Sequence, residues 1–136
     1  MVRVKEILLN LLSNAVKYTP KKGCIRAALE EKPSGKDHVG CYEFTVEDNG
    51  IGMSPAFQEK MFTPFERAAD ARVRGIQGTG LGLAITRNLV QMMNGTIQVE
   101  SRLDEGTRLS LIHIYTARKF TISRSSCWSG LRMRYP

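Results

Sequence analysis

Between residues 4 and 18, the apolar positions Ile7, Leu8, Leu11, Leu12, Ala15 and Val16 recur at the spacing of one helical face, which predicts a buried amphipathic helix. Thr19-Pro20-Lys21-Lys22-Gly23 ends it. The period then falls to two. Ile25, Ala27 and Leu29 predict a strand over 24–31, a turn follows at 32–37, and Tyr42, Phe44 and Val46 alternate with Glu43, Thr45 and Glu47 as a strand over 41–48. Ser54-Pro55 opens a short helix reaching Glu59 or Lys60. Leu81, Ala84, Ile85, Leu89 and Met92 return to helical spacing and predict a second long helix near 80–94, closed by Asn94-Gly95. Ile97 and Val99 mark a strand over 96–100, Leu103 to Gly106 a turn, and 107–114 a last strand. No repeat and no second domain is visible.

Composition changes this picture little. At 136 residues, 42% apolar and 24% charged, the chain reads as one ordinary globular domain with no run long enough to span a membrane and no secretory pattern, so a cytoplasmic setting is expected. Cys24, Cys41 and Cys127 are odd in number and lack a Cys-x-x-Cys spacing, which predicts reduced thiols. The net charge of +7 raises a nucleic-acid reading. Its location lowers that reading. Arg118, Lys119, Arg124, Arg132 and Arg134 lie in 115–136 without an acid, leaving 15 basic against 13 acidic residues in 1–114.

Three local features carry candidate chemistry. At about 100° per residue, Asn10, Asn14 and Lys17 fall on one polar strip beside the apolar face of the first helix, either a solvated edge or a ligand-facing one. By strand parity Asp48 lies on the apolar side with Tyr42, Phe44 and Val46. A carboxylate there needs a donor: an amine of a ligand, or the turn it caps before Asn49-Gly50. Gly78, Gly80 and Gly82 alternate immediately before the second long helix, where free N–H groups and the positive dipole end make an anion cradle, or simply a turn. A calcium loop over 48–59 is excluded, because glycines stand where oxygen ligands would be needed. Residues 66–77 are charged, rich in small side chains and without period, the composition of a lid or a linker.

In combination these stretches resemble the catalytic ATP-binding domain of sensor histidine kinases, in the GHKL ATPase superfamily. ILLNLLSNAVKYTP (7–20) is similar to the N box, EDNGIGM (47–53) to the first glycine box, MFTPF (61–65) to the F box and GTGLGL (78–83) to the second glycine box. The resemblance covers about 2–114 and implies a two-layer α/β sandwich, a mixed β-sheet covered on one face by helices, with ATP held between the long helices under the lid. It implies that Asn14 binds Mg²⁺, with Asn10 assisting the metal or the phosphates. It further implies that Lys17 neutralises phosphate charge, Tyr18 borders the nucleotide and Asp48 accepts from the adenine amine. Gly50 and Gly52 would admit the ring, Gly78, Thr79, Gly80, Leu81 and Gly82 would wrap the phosphates, and Arg67 and Gln77 would reach the γ-phosphate. Superfamily members that hydrolyse ATP hold a glutamate where this chain has Asn10. A carboxamide cannot act as a general base, so transfer is expected rather than hydrolysis.

The phosphoacceptor is expected elsewhere. Neither His38 nor His113 lies in a helical dimerisation pattern, so the implied partners are a separate histidine-bearing dimerisation domain and, through it, a response regulator. No specific nucleic acid and no membrane contact is expected. Such domains usually carry a further strand ahead of the N box, so one sheet position is expected empty; residues 115–136 match nothing in the resemblance and read as a disordered or non-native basic tail. The alternatives are a nucleotide-binding fragment without catalysis and a nucleic-acid binder acting through that tail.

Overall fold

The structure is a computed structural model that describes residues 2–35, 39–68, 78, 80–116 and 131–134. In chain order it runs α1 (Val2–Tyr18), β1 (Cys24–Lys32), β2 (Val39–Asp48), α2 (Pro55–Gln58), α3 (Gly82–Met92), β3 (Thr96–Arg102), β4 (Gly106–Thr116) and β5 (Leu131–Arg134). The strands form one sheet in the order β3-β4-β2-β1-β5, with α1 and α3 packed together on one face. The two-layer α/β sandwich is therefore as expected. The sheet is not mixed: every pairing among the described strands is antiparallel. Hairpin connections from β1 to β2 and from β3 to β4 reverse the chain, and β4 returns between β3 and β2 with opposite sense. Within 115–136, β4 runs on to Thr116 and β5 pairs with Cys24–Ala27 at the edge.

Register sorts the helix-facing side of the sheet into rows. Leu29, Phe44, Leu111 and Ile97 stand side by side, and Ala27, Val46, Leu109 and Val99 form the next row. Ile7, Leu11 and Ala15 of α1 and Val90 of α3, together with Met61, close over Val46, Leu109 and Leu111 as the buried core, with Phe44, Ile97 and Val99 packed against it, whereas Leu29 at the end of its row stays exposed. The third row differs in chemistry. Ile25 is followed by Asp48, Thr107 and Ser101, so one end of the apolar face is polar.

The stripe of α1 is the one the sequence predicts, except that Val16 at its edge is exposed. That of α3 is not: Ile85 and Met92 are exposed, whereas Ala84, Thr86 and Val90 are buried and Leu83, Leu89 and Met93 pack on the core. Counting only apolar residues misplaced the face because its centre is a threonine. Thr86 is fully buried, and its hydroxyl donates to the Gly82 carbonyl at 2.8 Å, so its polarity is satisfied inside its own helix.

Candidate functional site

The N-terminus of α3, the polar strip of α1 and the polar row of the sheet enclose a cavity of about 230 Å³. Its apolar wall is Leu11, Ala15, Val46, Met53, Phe57, Met61, Leu83 and Leu109, and its polar groups enter from several sides. Asn10, Asn14, Lys17 and Tyr18 come from α1, a consequence of their shared strip beside the buried stripe. Asp48 and Thr107 come from neighbouring positions of β2 and β4. Gly52, Gly78, Gly80, Gly82 and Arg67 complete the wall with Glu66.

Asp48 is held by geometry. Its Oδ1 accepts the Gly50 N–H at 2.9 Å, and the Thr107 N–H also donates to the carboxylate. Burial pushes its carboxyl above the usual aspartate range, and these two N–H donors only partly oppose the shift. A carboxylate in this state favours a further donor on its cavity side.

The turn that follows is clamped between two elements. Ile51 N–H donates to the Tyr18 carbonyl at 3.2 Å, and the Ile51 carbonyl accepts from Asp104 N–H at 2.8 Å in the β3–β4 turn. Ser101 Oγ accepts from Met53 N–H at 2.8 Å and donates to the Gly106 carbonyl at 2.9 Å, while Gln58 Nε2 donates to the carbonyls of Met53 and Ser101. Gly50 is buried in this clamp and does not line the cavity; a Cβ there would stand 2.3 Å from the Tyr18 carbonyl oxygen. Gly52 does line it, at φ 67.

Of the residues singled out from sequence, Asn10, Asn14, Lys17, Tyr18, Asp48, Gly52, Arg67, Gly78, Gly80 and Gly82 share this one cavity. Leu81 caps α3 from just outside its wall. Gln77 and Thr79 lie outside the described residues. Thr107 was missed, although the signal was present: it shares strand parity with Leu109 and Leu111, so it is a polar residue on an apolar face, as Asp48 is. Phe65 N–H donates to the Gly80 carbonyl at 3.0 Å, which ties the F-box segment to the glycine run.

The set fits a magnesium nucleotide. Among the described residues no cluster of three His, Cys, Asp or Glu could hold a metal alone, whereas the carboxamides of Asn10 and Asn14 offer hard oxygens beside a lysine and a helix N-terminus. Mg²⁺ is ordinarily bound that way, through few protein oxygens together with phosphates. The described helices include none long and apolar enough to cross a membrane.

Known proteins are similar to this chain in sequence and in fold. The family described as histidine kinase-, DNA gyrase B-, and HSP90-like ATPase matches residues 1–117. The histidine protein kinase DivJ of Caulobacter vibrioides is 41% identical over 108 residues, 79% of this chain and 17% of the relative. The autoinducer 2 sensor kinase/phosphatase LuxQ of Vibrio parahaemolyticus is 43% identical over 108 residues, 78% of this chain and 12% of the relative. The chain thus spans less than a fifth of the length of these curated relatives. Among solved structures, the mycobacterial sensor histidine kinase MprB superposes with a TM-score of 0.67 at 27% identity, covering 86% of this chain and 75% of the other. Full-length ShkA in complex with AMPPNP superposes with a TM-score of 0.62 at 32% identity, covering 86% of this chain and 22% of the other.

Proposed function

Because the chain belongs to the family of histidine kinase-, DNA gyrase B- and HSP90-like ATPases, as the catalytic ATP-binding domain of a sensor histidine kinase, we propose that it binds MgATP and transfers the γ-phosphate to a histidine of a separate dimerisation domain. A response regulator then takes the phosphoryl group from that histidine, in the cytoplasm. The observation that carries this reading is the meeting of Asp48, Asn10, Asn14, Lys17 and the α3 N-terminus around one cavity.

Each group has a chemical task. Asp48 accepts from the adenine amine, with the Thr107 hydroxyl beside it and Gly52 giving the ring close access to the backbone. Tyr18 borders the nucleotide, and Lys17 and the first N–H groups of α3, reached past Gly78, Gly80 and Gly82, neutralise the phosphates. Asn14 and Asn10 would hold the Mg²⁺, which when bound spreads the charge of the transferring phosphoryl group. Arg67 and Gln77 are assigned to the γ-phosphate. None of the groups from α1 that face the cavity is a carboxylate able to act as general base, which supports transfer over hydrolysis. The attacking imidazole comes from the partner domain, and what this chain contributes is position and charge.

The test is titration calorimetry with a non-hydrolysable ATP analogue, with and without Mg²⁺, on the chain and on Asn14→Ala. Saturable binding whose magnesium dependence is lost in Asn14→Ala is expected. Absence of binding by the folded chain overturns the reading, and binding without transfer to a supplied histidine domain reduces it to a nucleotide-binding module.

A separate expectation concerns Gly82. A Cβ there meets nothing within 4 Å, and alanine is the better helix former by up to about 1 kcal/mol. Gly82→Ala should therefore keep or slightly raise Tm while weakening ATP more than adenosine. Equal loss for both ligands would mean that the phosphates do not run past the start of α3.

A further inference from the structure

We propose that Thr86 is a positioning residue that sets which way the Asn10 carboxamide faces. The inference rests on the reading above, in which Asn10 meets the metal or the phosphates. Asn10 Nδ2 donates to Thr86 Oγ1 at 3.5 Å, and Thr86 Oγ1 lies 2.8 Å from the Gly82 carbonyl oxygen. A threonine hydroxyl has one proton and two lone pairs. Its proton goes to the nearer acceptor, the Gly82 carbonyl, so toward Asn10 the hydroxyl can only accept. The side of the Asn10 amide facing α3 is therefore its NH₂, and Oδ1 is turned away from α3, on a residue that lines the cavity.

The same hydroxyl acts at both walls of the site. Gly82 is the first residue of α3 and lines the cavity, so the relay Asn10–Thr86–Gly82 joins the carboxamide on α1 to the helix start that would meet phosphate. Thr86 itself does not line the cavity and is fully buried. It touches neither nucleotide nor cation, and its influence passes through Asn10. Buried partners of this kind orient a ligand residue and commonly change metal affinity by about 10–100-fold when removed.

This also gives a physical reason for a hydroxyl at the centre of the buried face of α3. Valine has nearly the same shape and would satisfy the packing, but it would leave the Asn10 amide free to flip. The amide could then present NH₂ to the cavity, a donor where an oxygen is required.

The experiment compares the wild type, Thr86→Val, Thr86→Ser and Thr86→Cys as full chains. Without any ligand, the Asn10 side-chain amide protons are followed by NMR: slowed exchange of one Nδ2 proton is expected in the wild type and Thr86→Ser, and its loss in Thr86→Val. With the non-hydrolysable ATP analogue, Thr86→Val should need roughly tenfold more Mg²⁺ for half-maximal tight binding, with magnesium-free affinity unchanged and Thr86→Ser restoring the wild-type requirement. Should Thr86→Val fail to fold, Thr86→Cys keeps the volume with a much weaker acceptor and is expected to show the same loss. Unchanged Asn10 exchange and unchanged magnesium dependence in a folded variant overturn the proposal, while Asn14→Ala still reports on the site itself. A wild type that binds no nucleotide overturns the functional reading, and the ligand-free exchange measurement separates that outcome from failure of the Thr86 relay.

Discussion

Asp48→Asn will cost the chain roughly a hundredfold in affinity for adenine nucleotides while leaving it folded. The aspartate carboxylate faces donors on every side the structure shows: the N–H of Gly50 at 2.9 Å, the N–H of Thr107, and, in the proposed bound state, the amine of adenine. An asparagine replaces one acceptor oxygen by an NH₂, which must then face a backbone N–H or the base amine. A hydrogen bond to a charged group contributes about 1.5–3 kcal/mol, and the substitution converts that into a repulsion. The folded state loses less, because the buried charge is relieved. Burial raises the Asp48 pKa in the fold, so the stability linked to its proton is present below the ordinary aspartate pKa and is lost as pH rises through the raised value. The wild type should accordingly gain on Asp48→Asn in Tm as pH is lowered from neutrality toward the acid range. Calorimetric Kd values beside Tm at two pH values test both statements. An Asp48→Asn chain that binds ATP as the wild type does removes Asp48 from the site.

A large loss of stability is expected at Gly106→Ala. Gly106 has φ 122, and a Cβ on it would lie 2.0 Å from the Asp48 carbonyl oxygen and 2.8 Å from Asn49 Cα. Both obstacles are backbone, so no rotamer change relieves them. The cost is roughly 3–5 kcal/mol, combining overpacking with a backbone conformation hostile to a side chain. For a domain of this size that is a fall in Tm of roughly 10–20 °C. Gly35→Ala is the control, since Gly35 has φ 66 but nothing within 4 Å of its Cβ position. It should lose only about 1–2 kcal/mol. Equal losses at the two positions would show that conformation alone matters and that the close approach of the β3–β4 turn to Asp48 does not.

How much of this was legible in the sequence depended on whether the deciding interaction was local. The buried stripe of α1, with Asn10, Asn14 and Lys17 along its edge, follows from helical period alone, and all three line the cavity. Strand parity likewise placed Asp48 on the apolar face. Parity could have found Thr107, but a lone threonine in a strand is unremarkable until register sets it opposite Asp48. The face of α3 was misread because apolar counting cannot see that Thr86 is satisfied by a carbonyl four residues earlier. The antiparallel sense of the whole sheet was also hidden, since strand order is fixed by contacts between distant segments. The clamp of Ser101 and Gln58 on Met53 joins residues far apart in the chain and leaves no local trace.

The hydrogen bond from Phe65 N–H to the Gly80 carbonyl has a consequence for how the domain tolerates change. It joins the two ends of the chain segment 66–79, so the ends meet at a fixed separation set by the body of the domain. Closing a loop costs entropy that grows only with the logarithm of its length, about 0.6 kcal/mol for each doubling. A change in the number of residues between these anchor points therefore alters the closure entropy only slightly. Glu66, Arg67 and Gly78 lie within the same stretch and line the cavity, so the cost of altering it falls on the ligand site rather than on the sheet and helices.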